Sequence, residues 1–488
     1  MSGSTRRELL GAAAVGAAGL AAPPALARRL VSSRASVGRG RFLDGVASGE
    51  PSPTAVTFWS RLTTNNPRSG ARLIVARDEG LNHVIATRVV PTGRGVNGTL
   101  KARVGKLKPH SEYFYAWESG NDVSPVGRAR TLPPPDSRQP LNIAFSSCQH
   151  YAVGYFSAHA HAAQQDLDLT IFLGDYIYAE HRASTAGDAR IDRLDSNDLR
   201  SYRRKYQTYR TDDGLRELHR LQSSVHIWDD HEIENNYTDN RPAPTPAQRI
   251  AGYRAAFEWL PHTVYPHDRH RIYKKIAIGR DVDLFLLDER QYRTVDENDK
   301  PVRLLGDAQA NWLLNGLATS RATWKIIANQ VPIAPMDFGN GQGSDSWGGY
   351  DSSRTTLLQT IESRAIPNVV FNTGDAHVFM TNLLSSNADG FRSDPSYPAS
   401  AVEYVGGSVT SGGGDRPEAE VRSTNPWTQQ YNGHDHGYGH LSVSETELVT
   451  EYRRSDLTRP DGATVAFERF HQPAGNAVVS RESLAPPT

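Results

Sequence analysis

The chain has a single cysteine, Cys148, only three methionines in 488 residues, and no surplus of either charge, with 54 Lys and Arg against 54 Asp and Glu. Each shortage excludes something. One cysteine forbids an intramolecular disulfide, so the core alone must hold the fold, which needs explaining if the protein is exported. A formal net charge of zero lacks the overall electrostatic footprint that long contacts with a phosphate backbone require, so nucleic-acid binding is not expected. Beyond the amino terminus no apolar run approaches the roughly 20 residues that cross a bilayer, and no cysteine stands where lipidation would need one, so no stable membrane anchor is expected. What remains is ordinary globular material: 38% hydrophobic and 22% charged residues, with 41 glycines and 29 prolines. The length allows about two or three domains and says nothing decisive about assembly; a monomer is the working expectation.

The amino terminus raises the question of export directly. Arg6-Arg7 precedes a Gly/Ala-rich apolar run through Ala22, and Ala25-Leu26-Ala27 offers the small residues that a signal peptidase accepts. Residues 1–27 read as a twin-arginine signal peptide, whose translocase carries proteins already folded in the cytoplasm. The mature chain would then begin near Arg28 and be secreted, as an extracellular, periplasmic or cell-surface protein. Folding before export removes the need for disulfides.

Two textures follow. From Phe42 to about Arg130, short alternating runs such as Ala55-Val56-Thr57-Phe58-Trp59 and Tyr113-Phe114-Tyr115-Ala116-Trp117 are separated by Gly, Pro and Asn turns, which predicts a small all-β sandwich over 40–132. Leu107-Lys108-Pro109-His110-Ser111-Glu112-Tyr113 matches the corner that precedes a late strand in fibronectin-III and Ig-like sandwiches. Pro133-Pro134-Pro135 reads as a stiff linker. A second domain over 138–470, followed by a tail at 471–488, has apolar runs ending abruptly in polar residues, with helix-compatible stretches between them. Leu141 to Phe145 ends in Ser146-Ser147-Cys148, Leu169 to Leu173 in Gly174-Asp175, Val225 to Trp228 in Asp229-Asp230-His231-Glu232, and Asn368 to Phe371 leads to Gly374-Asp375-Ala376-His377. In layered α/β domains the carboxyl ends of core strands open onto one edge, which would gather these clusters.

A Cys, several Asp, two His and a Tyr at strand ends make the inventory of a multinuclear metal site, because carboxylates bridge ions while imidazole, thiolate and phenolate terminate them. Gly174 would turn the chain tightly, with Tyr178 one helical turn beyond Asp175. Asp375 and His377, two residues apart, would face the same way in extended backbone. Taken singly, each has a plainer reading: Cys148 as a small core residue, Asp175 as a turn or cap, Tyr178 as core. Gly433-His434-Asp435-His436 imitates a metal-binding pair, but no apolar strand precedes it, and it is expected to be a polar loop near the mouth of the site.

These motifs, taken in order, resemble the alkaline phosphatase D (PhoD-like) family across essentially the whole mature chain. The resemblance rests on Gly45 to Pro51 with Phe58-Trp59-Ser60-Arg61-Leu62, on Ser147-Cys148-Gln149, and on Leu173-Gly174-Asp175-Tyr176-Ile177-Tyr178. It continues through Trp228-Asp229-Asp230-His231-Glu232 with Asn235-Asn236, Thr373-Gly374-Asp375-Ala376-His377, and the segments at 287–293, 305–313 and 404–413. It implies an αββα metallophosphoesterase sandwich holding ferric iron and calcium (Fe3+ and Ca2+), with other divalent metals admitted, and hydrolysis of phosphomonoesters by attack of metal-bound hydroxide on phosphorus. Cys148, Asp175, Tyr178 and the Asp375/His377 pair would surround the iron. Asp175 would bridge to a second ion that Asp230 also holds, and His231 would contact the phosphoryl group or protonate the leaving group. Where the family has Asp-Thr/Ser-Arg, this chain has Asp288-Glu289-Arg290, and Glu289 is given no catalytic role. Thiolate and phenolate on a trivalent ion should give visible charge-transfer absorption. The substrate would be a small-molecule or lipid phosphoester. The alternatives are a phosphodiesterase of phospholipase D type on the same centre, a metallohydrolase of carboxylic esters or lactones, and a non-catalytic secreted binding protein.

Overall fold

Runs of Val, Ile, Leu and Phe bounded by polar residues become strands buried on both faces. Leu141–Ser146, Leu169–Phe172 and Ser223–His226 lie parallel in one sheet, with Ile171 between Phe145 and Val225. A second sheet carries Val282–Leu286, Trp324–Asn329, Val369–Thr373 and Ala401–Gly406 in parallel, with antiparallel edges, seven strands in all. The computed structural model describes residues 41–64, 69–93, 95–181, 190–192, 194–337 and 345–484; the signal-peptide reading of 1–27 lies outside them.

The two sheets pack face to face. Strand alternation explains how: Leu284, Ile326 and Val370 point at Phe145, Ile171 and Val225 of the first sheet. Their neighbours Phe285, Ile327 and Phe371 point outward, onto Leu313 and Leu317 of the helix Gly306–Thr319 and Leu357 of the helix Asp351–Ser363. Helices Ser157–Ala163, Leu199–Tyr209, Asp213–Leu221 and Pro246–Trp259 cover the first sheet. Their starts are written locally: the Asp198 carboxylate accepts the Ser201 N–H at 2.7 Å, and Thr245 caps a helix that opens on Pro246. The result is the expected αββα layering. No helix among the described residues is long and apolar enough to cross a membrane.

The amino-terminal sandwich is less separate than its sequence suggests. Its strands Val46–Ser52, Ala55–Arg61 and Thr99–Val104 extend the first sheet to ten, Val46–Ser52 running parallel to Ser223–His226 with Ser48 opposite Ser223. The other face, built on Gly70–Ala76, Val84–Pro91 and Glu112–Ser119, packs Leu73, Tyr115 and Trp117 against Val56, Phe58 and Leu100. The corner is present: the Tyr113 hydroxyl accepts the Lys108 N–H at 2.7 Å. At the other end, residues taken as a tail from 471 remain in the sheet, because Thr464–Pro473 runs on and pairs with Ser480–Ser483. The strand expected at Val225 to Trp228 is Ser223–His226. Trp228 leaves it to stack on Tyr253, with ring centroids 4.6 Å apart.

Buried histidines sit beneath the first sheet. His219 and His226 stack on Phe172 at 5.3 and 4.7 Å. Burial holds both well below their ordinary pKa, and takes His159 down to about 3 and His262 to about 4. A folded-state pKa below the unfolded value near 6.5 means stability that is full above that pH and lost as pH falls through it. At pH 5 each such histidine removes about 2 kcal/mol. His226→Leu should therefore unfold at a lower pH than the parent in an acid titration followed by circular dichroism. An unchanged acid midpoint would show that His226 takes up no proton on unfolding.

Candidate metal centre

The site forms at the seam between the sheets, not along the edge of one, because three of the four loops leave the first sheet and the fourth leaves the second. Gly174 makes the closest approach. Its φ is +119°, and a Cβ there would meet the Asp229 Cβ at 2.5 Å, so only glycine lets the loops carrying Asp175 and Asp229 touch. Glu232 then fastens them: its carboxylate accepts the N–H groups of Asp175 at 3.1 Å, Tyr176 at 2.6 Å and Asp229 at 2.9 Å. It is a clasp between the two loops. The Cys148 N–H donates to the Gly174 carbonyl at 3.2 Å, and the Cys148 carbonyl accepts from the Ser411 hydroxyl at 3.0 Å.

Cys148, Asp175, Asp375 and His377 all have left-handed backbones, with φ of 58°, 52°, 60° and 57°. Such conformations are disfavoured for residues with a Cβ and concentrate at functional sites. They also correct one expectation. Asp375 and His377 are not in extended backbone and do not act from one side: His377 brings a donor atom within 4.8 Å of donors on Cys148 and Asp175, while Asp375 does so with Asp229 and Asp230. A third group, Asp175, Asp230 and His231, lies between. Asp175 is thus shared by the first and middle groups, and Asp230 by the middle and last. The Tyr178 hydroxyl is 3.3 Å from His377 Nε2 and 2.5 Å from the Ser411 hydroxyl.

The donor set fits cations. Asp175 Oδ2 and Asp229 Oδ2 are buried without a hydrogen-bond partner, a costly state for a carboxylate unless something positive faces it. Burial pushes the Cys148 thiol up, with Asp175 adding to it, and pushes Tyr178 up alongside Asp175 and Cys148. Burial likewise raises Asp175, against the pull of His231 and with Asp230 and Asp229 adding to the rise, and takes Asp229 up to about 6 despite Arg290. A cation among these groups would displace their protons.

His231 is one of two cationic side chains that face the cluster. Burial opposes its charge, but Asp230, Asp175 and Glu180 outweigh that and lift it to about 10. Its Nδ1 lies 2.8 Å from Glu180 Oε2, and its ring stacks on Tyr178 at 4.2 Å. Glu180 also accepts the Asn235 N–H at 2.6 Å. Glu180 escaped the sequence reading although it follows Tyr178 by two residues. Arg290, named in the sequence only as the end of the Asp288-Glu289-Arg290 motif and given no role there, is a second buried cation at the site: its Nε donates to Asp229 and its remaining nitrogens donate to Asp345 at 2.7 and 2.9 Å, within 3.8 Å of Asp230 and Asp375. Glu289 beside it accepts the N–H groups of Gln330 and Val331 and the Trp347 indole N–H, a structural anchor. Among the described residues neither His434 nor His436 joins a donor group of this kind; His436 Nδ1 is 3.0 Å from the Ser408 hydroxyl, and Asp435 accepts from Asn432 at 2.8 Å.

Two facing sheets flanked by helices, with carboxylates, imidazole, thiol and phenol gathered at strand ends, define a metallophosphoesterase-like α/β domain. The chain belongs to the PhoD-like phosphatase family: residues 143–452 match PhoD-like phosphatase, and residues 27–133 match that family's N-terminal domain. Alkaline phosphatase D of Bacillus subtilis (strain 168) is 30% identical over 467 residues, covering 87% of this chain and 79% of that protein. A solved structure of PhoD superposes with a TM-score of 0.84 at 29% identity, over 93% of this chain and 94% of that one. A purple acid phosphatase, PPD1 from yellow lupin seeds, shares the fold at a TM-score of 0.58 and 11% identity, over 87% and 73% of the two chains. The protein is accordingly a hydrolase of phosphoric ester bonds.

Proposed function

We propose that this protein is a secreted, metal-dependent phosphatase that hydrolyses phosphomonoesters at a ferric iron and calcium centre. The observation that carries the reading is the position of Asp175 between two sets of donors, Cys148 and His377 on one side and Asp230 on the other. Cys148, Tyr178, His377 and Asp175 would hold iron, since anionic sulfur and phenolate oxygen suit a trivalent ion. Asp175, Asp230 and Asp375 would hold calcium, which prefers oxygen. Bound ions would supply Lewis acidity, lowering the pKa of water and neutralising phosphoryl oxygens. Glu232 fixes the two loops so that Asp175 reaches both groups. His231, with Nδ1 engaged by Glu180, has Nε2 left to donate a proton to a phosphoryl or leaving oxygen, a role that contributes typically 10²- to 10⁴-fold. The competing reading, a binding protein on a decayed core, predicts lost donors, and all of these are present. Export by the twin-arginine translocase suits a chain whose single thiol is committed to a metal loaded before crossing.

Metal analysis of coloured, purified holoenzyme, joined to assays on paired phosphomonoesters and diesters, tests the proposal. Iron, a visible absorption band lost in Cys148→Ser, and monoester turnover are expected. A colourless, iron-free enzyme of full activity would overturn it, and a strong diester preference would favour the phosphodiesterase alternative. Glu180→Gln keeps the side-chain shape but removes the charge facing His231. It should lower kcat by about 10- to 100-fold, the usual effect of losing a partner that orients a catalytic or ligating side chain, with little change in KM. Unchanged kcat would remove the Glu180–His231 pair from the mechanism.

A further inference from the structure

We infer that the amino-terminal sandwich carries a second anion site: a groove of about 350 Å³, between the strand Val84–Pro91 and the turn at 105–108, that binds a polyanion carrying repeated phosphate or sulfate groups. Four cations, Arg77, Arg88, Lys106 and Lys108, line it together with Ile85 and Leu107, and among the described residues no carboxylate does. All four are exposed. Asp78, the acid next to Arg77, is turned away, its carboxylate accepting the N–H groups of Asn82 at 2.9 Å and His83 at 2.6 Å.

Like charges crowded along one groove repel unless an anion lies between them. A lone phosphate, with at most two negative charges near neutral pH, leaves part of this fourfold positive charge unbalanced, whereas a polyanion offers a charge for each. Lys106 also holds a left-handed backbone, with φ of 61°, a conformation that lysine adopts rarely. The balance of charge across the whole chain conceals this local excess: residues 69–132 carry ten Lys and Arg against five Asp and Glu.

The groove is not part of the metal centre. The turn at 105–108 directly follows Thr99–Val104, the edge strand of the ten-stranded sheet, which lies four strands from Leu169–Phe172, or about 19 Å at about 4.8 Å per strand. A polymer seated here would be held by the protein at a point remote from any bond being cut, which raises the local concentration of its other segments. Apolar Ile85 and Leu107 give the floor a surface for the uncharged parts of such a chain.

The test uses the full protein and two probes, a heparin-derived sulfated oligosaccharide, which contains no phosphoester, and inorganic polyphosphate. Binding at low salt should weaken steeply as salt rises. The fourfold variant R77Q/R88Q/K106Q/K108Q should bind heparin at least tenfold more weakly, while its melting temperature and its turnover of a small phosphomonoester stay at the parent values. Binding of polyphosphate but not heparin, lost in the same variant, would support the site and identify phosphate as its source. Equal binding by parent and variant, polyphosphate binding displaced by a phosphomonoester, or failure of the parent to bind either probe would each overturn it.

Discussion

Asp175→Asn should raise the melting temperature of metal-stripped protein while lowering kcat/KM by about a thousandfold or more. Both effects come from one carboxylate. Asp175 is buried, its Oδ2 has no hydrogen-bond partner, and burial together with Asp230, Asp229 and Glu232 raises its pKa against the pull of His231. A carboxyl whose folded-state pKa is raised contributes stability only while protonated, and that stability is lost as pH rises. The neutral isostere escapes this loss, so the difference in melting temperature between variant and parent, both stripped, should widen as pH rises above the ordinary carboxylate range. In the loaded enzyme the same change removes the proposed bridge. Charge stabilisation by metal is worth several kcal/mol, and about 1.4 kcal/mol corresponds to a factor of ten in rate. Thermal melts after chelation and steady-state rates after reloading separate the two effects. A variant that melts lower when stripped, or that turns over normally when loaded, would remove Asp175 from the bridging position.

Arg290→Gln should have the opposite sign. The guanidinium is wholly buried and faces Asp229, Asp230, Asp345 and Asp375. Taking one partner out of a buried ionic cluster costs about 3–5 kcal/mol, because the remaining charges are left uncompensated. Lysine should not substitute well, since it cannot bridge Asp345 and Asp229 with a rigid fork. Calcium should recover part of the loss, because a divalent ion among the same carboxylates supplies the missing positive charge. Denaturant midpoints with and without calcium provide the measurement. An identical loss under both conditions would reduce Arg290 to a packing residue with no electrical link to the centre.

The contrast between these residues shows what the sequence could reveal. Asp175 was legible because glycine, an acid and an aromatic pair follow an apolar strand, and chemistry at strand ends follows from how parallel sheets are built. Cys148, Asp230 and the Asp375/His377 pair were legible for the same reason. The separation of Asp375 from His377 was not, since it depends on two left-handed residues that nothing in Asp-Ala-His requires. Glu180 carries no local signal, and Arg290 only its place in the Asp288-Glu289-Arg290 motif; their partners are distant in sequence, and only the folding of separate loops onto one site brings them together. Apolar runs marked most core strands to within two residues. They could not say which sheet each strand would join, so a site at a seam looked like a site at one edge, and a sandwich that shares a sheet looked like a separate bead.

That shared sheet has a consequence for how the molecule can be divided. Ser223–His226 has one neighbour in Leu169–Phe172 and the other in Val46–Ser52, so the amino-terminal module completes a ladder that begins beneath the metal-bearing loops. A truncated protein starting after the proline stretch would expose the buried strand Ser223–His226 as a new edge, the arrangement that recruits other chains and aggregates. The turn at 105–108 that forms one wall of the groove is therefore joined, strand by paired strand, to the strand that leads into Asp229, Asp230 and His231.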